Sequence, residues 1–350
     1  MTWMIYGANG YTGELAAREA ARRGLKPILA GRNAAAVGAL GSELGLPHRA
    51  FSLDDPATLA KGLKGVSAVL HCAGPFVLTS RAMVTACLAA RVHYLDITGE
   101  IPVFEKVLSR GEAAREAGVA LLPGVGFDVV PTDCLAARLA EALPDATELV
   151  LAFASTRGAI SRGTMKTMIE SFPHAGAIRK GGTIVPVPIA FDAREIEFPG
   201  GRRWAMTIPW GDVSTAWWST GIPNIRVYTG TPRKSIRRMR RVGPFLPLLG
   251  WGPLKRFLQR RVEKRVTGPS EEIRRTARVE LWGEVRNAAG RSVTATLITP
   301  EAYHFTAMSA VESAERAAQG RVRPGAWTPS RAFGPGYVLE FPGVTGTEPS

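Results

Sequence analysis

Trp3-Met4-Ile5-Tyr6-Gly7-Ala8-Asn9-Gly10-Tyr11-Thr12-Gly13 is the stretch whose reading decides the fold. Four residues suited to a strand run straight into a GxxGxxG turn, and an alanine-rich helical pattern continues from Gly10 to Arg23. A glycine triplet with a strand before it and a helix after it is the fingerprint of a dinucleotide-binding βαβ unit. Gly7 admits the tight turn, Gly10 lets backbone approach a pyrophosphate, and Gly13 lets the helix pack closely on the strand. The helix N-terminus offers unpaired N–H groups and a partial positive charge to the phosphates. Asn9, Tyr11 and Thr12 complete the turn and join the glycines as cofactor-binding candidates.

Outward from this turn, short β-rich runs alternate with helical patterns, which marks βαβ units and a parallel sheet. Strands are expected at Trp3 to Tyr6, Pro27 to Ala30, Arg49 to Leu53, Ala68 to Cys72, Val92 to Ile97 and Val119 to Leu122. Helices are expected at Gly10 to Arg23, Ala34 to Leu44, Pro56 to Leu63, Ser80 to Ala90 and Ile101 to Ala117, with Gly24, Gly45 and Gly118 as stops. A further helix near Thr132 to Leu143 closes a doubly wound Rossmann domain at residues 1–143.

The texture then changes to strands with longer Pro/Gly-rich joins: Leu149 to Ser155, Thr183 to Ile189, Arg194 to Phe198 and Arg226 to Thr229. Residues 144–300 read as a second, α+β substrate domain, ending in a hairpin of Thr276 to Arg286 and Arg291 to Thr299. Val279, Leu281 and Val285 alternate there with charged residues, so one face should be buried and the other wet, with Trp282 on the wet side. Residues 301–350 form a helix, Glu301 to Gln319, and a tail that can pack back on the first domain.

Cofactor choice turns on the end of the second strand. An acid about 20 residues beyond the glycines would bind the ribose 2′-hydroxyl of NAD. From Gly24 to Ser42 there is no carboxylate, and the strand ends in Ala30-Gly31-Arg32-Asn33. A guanidinium at Arg32 suits the 2′-phosphate of NADP(H), which it can bind through planar, charge-assisted hydrogen bonds. Ligands of open parallel sheets lie beyond the carboxyl ends of the strands. The loop Ala73-Gly74-Pro75-Phe76 there is read as contacting the cofactor's nicotinamide half. Thr98, Gly99, Glu100, Phe127 and Asp128 are substrate candidates, as are Ser161 and Thr164 in the second domain. For each acid the competing reading is helix capping or loop hydrogen bonding. No residue type at these positions singles out a proton donor.

The motifs GANGYTG, AGR, HCAGPF, HYLDITGE and PGVGFDVVPTD, followed by WGEVRNAAG and PGAWTPSRAFG, resemble those of the saccharopine dehydrogenase-like oxidoreductases, trans-acting enoyl reductases included. The resemblance implies an NADP-binding Rossmann domain, a substrate domain and hydride transfer. It does not imply saccharopine as substrate, since the family's name covers members whose chemistry differs, and the sequence places no cluster of arginines near the strand ends to grip an amino-dicarboxylate.

Charge sharpens the remaining choices. The chain of 350 residues carries +14, yet Arg233 to Arg265 alone holds twelve cations against Glu263, which leaves +3 for the rest. The basicity is local. Within it, Leu254, Phe257, Leu258, Val262 and Val266 form a helical apolar stripe beside Lys255, Arg256, Arg260 and Arg261. Such a segment reads as a solvated helix face, an interfacial membrane helix or a dock for an acidic acyl-carrier protein. Nucleic acid is excluded for want of a recognised module. No run of 18 apolar residues exists, and Met1 to Tyr6 lacks a leader, so a cytoplasmic location is expected, or a peripheral one at the inner face of a membrane. Three cysteines without a CxxC pair and five scattered histidines give no metal site. The expected function is an NADPH-dependent oxidoreductase acting on an apolar substrate. The alternatives are a non-catalytic membrane-associated NADP-binding protein and an amino-acid dehydrogenase of the saccharopine type.

Overall fold

Burial on both faces explains the uninterrupted apolar runs of the first domain. In the computed structural model, which describes residues 2–157, 161, 163–165, 169, 176–245, 257, 261–262 and 268–350, every residue of β1 (Trp3–Tyr6) is buried. The chain continues through α1 (Tyr11–Arg22), β2 (Ile28–Gly31), α2 (Ala34–Leu44), β3 (His48–Ala50), α3 (Pro56–Gly62) and β4 (Ala68–His71). Then follow α4 (Phe76–Ala90), β5 (His93–Asp96), α5 (Ile101–Leu108), α6 (Gly111–Ala117) and β6 (Ala120–Leu122). The strands pair in the order β6-β5-β4-β1-β2-β3, all parallel, and Gly325–Ala326 adds a short parallel strand beyond β6. Strand order reverses at β1, so the crevice beyond its carboxyl end, where the Gly7 turn lies, is the topological switch point.

Ile5, Leu29 and Leu70 pack under α1 and the later helix Ala302–Ala318, while Met4, Val69 and Tyr94 pack under α4 on the opposite face. Met1–Val130 and Tyr303–Phe333 make up this unit, and Pro131–Ala302 with Gly334–Ser350 make up the second. The sequence expectation drew its lines after 143 and 300; here residues 131–142 group with the second unit and 303–333 with the first.

Two helix expectations change. The pattern from Ile101 to Ala117 is broken at Ser109-Arg110 into α5 and α6. Helix α4 starts at Phe76, one turn before Ser80, because a distant carboxylate caps it there, as described below.

The second unit begins with α7 (Val130–Ala142) and continues with β7 (Ala146–Ser155), β8 (Ala177–Lys180), β9 (Thr183–Pro186), β10 (Ala193–Phe198) and β11 (Gly201–Thr207). Next come α8 (Asp212–Thr220), β12 (Asn224–Gly230), α9 (Arg233–Val242), α10 (Glu271–Thr276), β13 (Arg278–Asn287) and β14 (Ser292–Pro300). The mixed sheet runs β10-β11-β12-β7-β13-β14, with Thr345–Gly346 pairing β14. In a flat sheet β10 and β13 would lie about 19 Å apart, four strand spacings of ~4.8 Å. Instead Arg194 on β10 meets Glu284 on β13 at 3.4 Å, and its guanidinium sits over the rings of Tyr228 and Trp282. The sheet therefore curls, enclosing Ala152, Ala154, Ala205 and Phe198. This corrects the wet face expected for β13. Glu280 is buried and pairs with Arg203 at 3.1 Å, and Trp282 packs into the curl. Arginines folding across from β10 and β11 replace solvent there.

Candidate functional site

The glycine turn has the shape its spacing requires. Gly7 adopts φ +85°, and its N–H donates to the Ala30 carbonyl at 2.7 Å. A Cβ on Gly7 would stand 2.8 Å from the Ala73 nitrogen, and one on Gly13 would strike the Gly7 carbonyl. Side chains are therefore barred from this turn on two sides. Gly10 is the cap residue of α1 and supplies no side-chain hydrogen bond, so the helix opens toward the turn without a built-in anion. That is the cradle a pyrophosphate fits, and the residues present suit a dinucleotide.

Asn9 and Arg32 connect the turn to the end of β2. The Asn9 carboxamide oxygen lies 2.9 Å from where a Cβ on Gly31 would be, so Gly31 in Ala30-Gly31-Arg32 keeps room for it. Arg32 is exposed and takes part in no ion pair or hydrogen bond among the described residues. Tyr11 stands edge-on to Tyr303 at 5.2 Å, and Thr12 is half-buried beside it.

The loop after β4 is held by three side chains. The Phe76 and Val77 N–H groups both donate to the Glu100 carboxylate at 2.8 Å, so an acid from the β5–α5 loop caps α4. Thr79 Oγ1 donates to the Ala73 carbonyl at 2.7 Å and lies 3.0 Å from His71 Nε2. With the hydroxyl proton committed to Ala73, His71 is the donor to Thr79. Burial holds the imidazole neutral, its pKa pushed down to about 3. The ring of Phe76 is buried edge-on against His71 at 5.5 Å, while Gly74, Val77 and Leu78 are exposed. The Gly74–Pro75 peptide is cis.

Behind β5 and β6 the acids divide by their partners. Asp96, fully buried, accepts from Tyr94 Oη at 2.7 Å, Thr98 N at 3.0 Å and Gly124 N at 2.9 Å. Burial raises its pKa to about 6 against the pull of those donors. Thr98 is buried and its hydroxyl accepts from Glu100 N. Phe127 lies in the core, its N–H donating to Thr306 Oγ1 at 2.9 Å and its ring edge-on to Phe305. Asp128 differs: it is half-buried, sits against Gly99, and makes no hydrogen bond among the described residues. Burial pushes its carboxyl up to about 7. For Asp96 loop hydrogen bonding, the competing reading for an acid in these loops, is what the structure shows, whereas sequence reasoning missed the roles of His71 and Thr79, for which no local pattern exists.

In the second unit, Ser161 Oγ accepts from Thr164 N at 3.2 Å and lies 3.1 Å from Thr164 Oγ1, the geometry of a helix cap. A cavity of about 490 Å³ opens beside the ends of β7 and β12, lined by Ser155, Thr156, Arg203, Trp204, Thr231 and Arg233. Of the basic segment, Arg233–Val242 is helix α9, whereas most of the stripe from Leu254 to Val266 lies outside the described residues.

Residues 3–122 match the saccharopine dehydrogenase NADP-binding domain family. A Mycobacterium tuberculosis protein described as a trans-acting enoyl reductase is 31% identical over 181 residues, 48% of this chain and 43% of that one. A saccharopine dehydrogenase-like oxidoreductase of Rattus norvegicus is 27% identical over 216 residues, 53% of this chain and 50% of that one. The chain thus spans about half the length of the curated relatives it matches. In fold it is similar to apo saccharopine dehydrogenase (L-Glu forming) of Saccharomyces cerevisiae, with a TM-score of 0.65 over 97% of this chain and 96% of that one at 12% identity. The chain is thus similar to the saccharopine dehydrogenase-like oxidoreductases, trans-acting enoyl reductases included, and its residues 3–122 match an NADP-binding domain of that type.

Proposed function

We propose that this protein is an NADPH-dependent oxidoreductase that reduces an apolar, enoyl-type substrate. The carrying observation is the pairing of an open turn, with only glycine at positions 7, 10 and 13, with an Arg32 at the end of β2 that enters no ion pair among the described residues. When bound, NADPH supplies a hydride. The chain's own residues do the rest. Gly10 and the first turn of α1 would hold the pyrophosphate, and Arg32 the 2′-phosphate. Glu100 and the His71–Thr79 pair fix the Ala73-to-Phe76 loop. Val77 and Leu78, 40% and 70% exposed beside that loop, offer an apolar lip to the substrate.

Hydride addition to a carbon–carbon double bond leaves a carbanion that needs a proton. We assign that proton to Asp128, whose carboxyl remains protonated close to neutrality and has no hydrogen-bond partner among the described residues to satisfy first. Thr98, Gly99, Phe127, Ser161 and Thr164 are retained as substrate-side candidates. The basic segment at 233–265 would bring the enzyme to an anionic partner, an acyl-carrier protein or the inner face of a membrane, in the cytoplasm. Three free cysteines suit that reducing compartment.

Fluorescence titration with NADPH and NADH is the first test, followed by cofactor oxidation with enoyl thioesters and with lipid extracts. Tighter binding of NADPH, with oxidation by an enoyl substrate, is the expected result. No binding at millimolar NADPH sinks the reading. NADPH binding without turnover of any lipid or thioester supports a non-catalytic NADP-binding protein, and NADP reduction by saccharopine an amino-acid dehydrogenase.

A further inference from the structure

Helix α9 reads Arg-Lys-Ser-Ile-Arg-Arg-Met-Arg-Arg-Val, six cations in ten residues. Its apolar side is already used: Ile236 is buried and Met239 packs with it against Ala190, Met206 and Trp204. The remainder faces outward. Arg240 Nε donates to the Ala190 carbonyl at 2.8 Å, and Arg233 stacks over Trp204 at 4.8 Å. Lys234, Arg237, Arg238 and Arg241 are exposed and enter no ion pair among the described residues. From Arg233 to Phe245 there is no carboxylate at all.

Exposed apolar side chains adjoin this cationic face. Val242 and Phe245, 47% and 63% exposed, follow directly at the C-terminal end of the helix. Phe191, 50% exposed, follows Ala190, the residue whose carbonyl Arg240 holds. An acidic protein that met the arginines would also have to offer a matched pocket to each of the apolar side chains beside them. A polyanion such as nucleic acid backbone offers no such pocket. A bilayer uses both, its phosphate layer meeting the cations and its acyl boundary receiving the rings.

We propose that α9, with Phe191, Val242 and Phe245, is a docking surface for an anionic phospholipid bilayer. The proposal rests on the reading of the basic segment given above and selects the membrane over the carrier protein. Four cations without an ionic partner among the described residues, on a helix packed to its own unit, form a rigid electrostatic face, and the apolar side chains add insertion at its end.

Co-sedimentation of the full chain with vesicles tests this. Binding to vesicles containing phosphatidylglycerol, and not to pure phosphatidylcholine, is expected, and it should fall as salt is raised. The triple variant Arg237→Gln, Arg238→Gln, Arg241→Gln should bind about 100-fold more weakly, at roughly fivefold per cation. The double variant Phe191→Ser, Phe245→Ser should lose at least tenfold at low salt. Circular dichroism and thermal unfolding of each variant report that the chain is folded, which keeps this outcome separate from the cofactor reading. Equal affinity for charged and neutral vesicles, or none for charged ones, overturns the proposal. So does a loss confined to the arginine variant, which would leave electrostatic attraction without the insertion of Phe191 and Phe245.

Discussion

Replacing Glu100 by Gln tests whether this acid positions the cofactor loop or contacts substrate. The carboxylate accepts two N–H groups of the first turn of α4, both at 2.8 Å, and is only 6% exposed. An amide keeps one oxygen for one N–H but turns its own NH2 toward the other, donor against donor. The lost charge-assisted bond is worth about 1.5–3 kcal/mol. Removing the negative charge from a helix N-terminus costs about 0.3–1 kcal/mol more, and up to ~2 when partly buried. A loss of about 2–4 kcal/mol is therefore expected, some 5–15 °C in Tm for a unit of this size. Thermal unfolding followed by circular dichroism gives the number, and NADPH titration should show weaker binding because the Ala73-to-Phe76 loop is released. Unchanged Tm and unchanged NADPH affinity, with a raised KM for substrate, would refute the capping role and restore Glu100 to the substrate side.

Arg32→Ala should weaken NADPH about 10- to 150-fold, the loss of a charge-assisted contact of about 1.5–3 kcal/mol, and leave NADH unchanged; equal loss for both cofactors would remove Arg32 from the 2′-phosphate. Gly13→Ala sets a methyl against the Gly7 carbonyl, backbone against backbone, so it should cost about 1–3 kcal/mol or more and abolish NADPH binding in calorimetry. A folded variant with normal affinity would show that α1 does not pack as described. Burial raises the folded pKa of Asp128 to about 7 from its ordinary 3.8, so its contribution to stability is present at low pH and is lost as pH rises from about 4 to 7. Asp128→Asn should flatten that decline, by at most about 4 kcal/mol. Asp96, raised to about 6, keeps a smaller slope of the same sign in the variant. The same variant should retain NADPH affinity but lose turnover by about 10²- to 10⁴-fold, as for a removed general acid. Wild-type turnover should fall above pH 7, and a pH-independent rate there would dismiss Asp128 as the proton source.

The first unit was legible nearly strand by strand, because a parallel strand covered on both faces must be apolar throughout and because sterics admit only glycine at Gly7 and Gly13. Legibility failed where one segment's conformation depends on another distant in sequence. Pro75 and Thr79 gave no reason to start α4 at Phe76; the cap is Glu100, 24 residues on. Strand β11 begins Gly201-Arg202-Arg203-Trp204, whose charges hide an alternation made sense of only by Glu197 and Glu280 across from it. Likewise the wet face of β13 was a sound inference for an open sheet and failed because the sheet curls. The acids at the strand ends show the same limit most sharply. Asp96, Glu100 and Asp128 occupy equivalent loops, and each satisfies the same description from sequence alone. Their surroundings sort them: Asp96 is consumed by three donors and Glu100 by a helix terminus, whereas Asp128 has no such donor among the described residues. A carboxyl fixed by several hydrogen bonds gives or takes a proton only at the cost of those bonds. The third acid bears no such cost, which is why the proton is assigned to Asp128 and the scaffold to the other two.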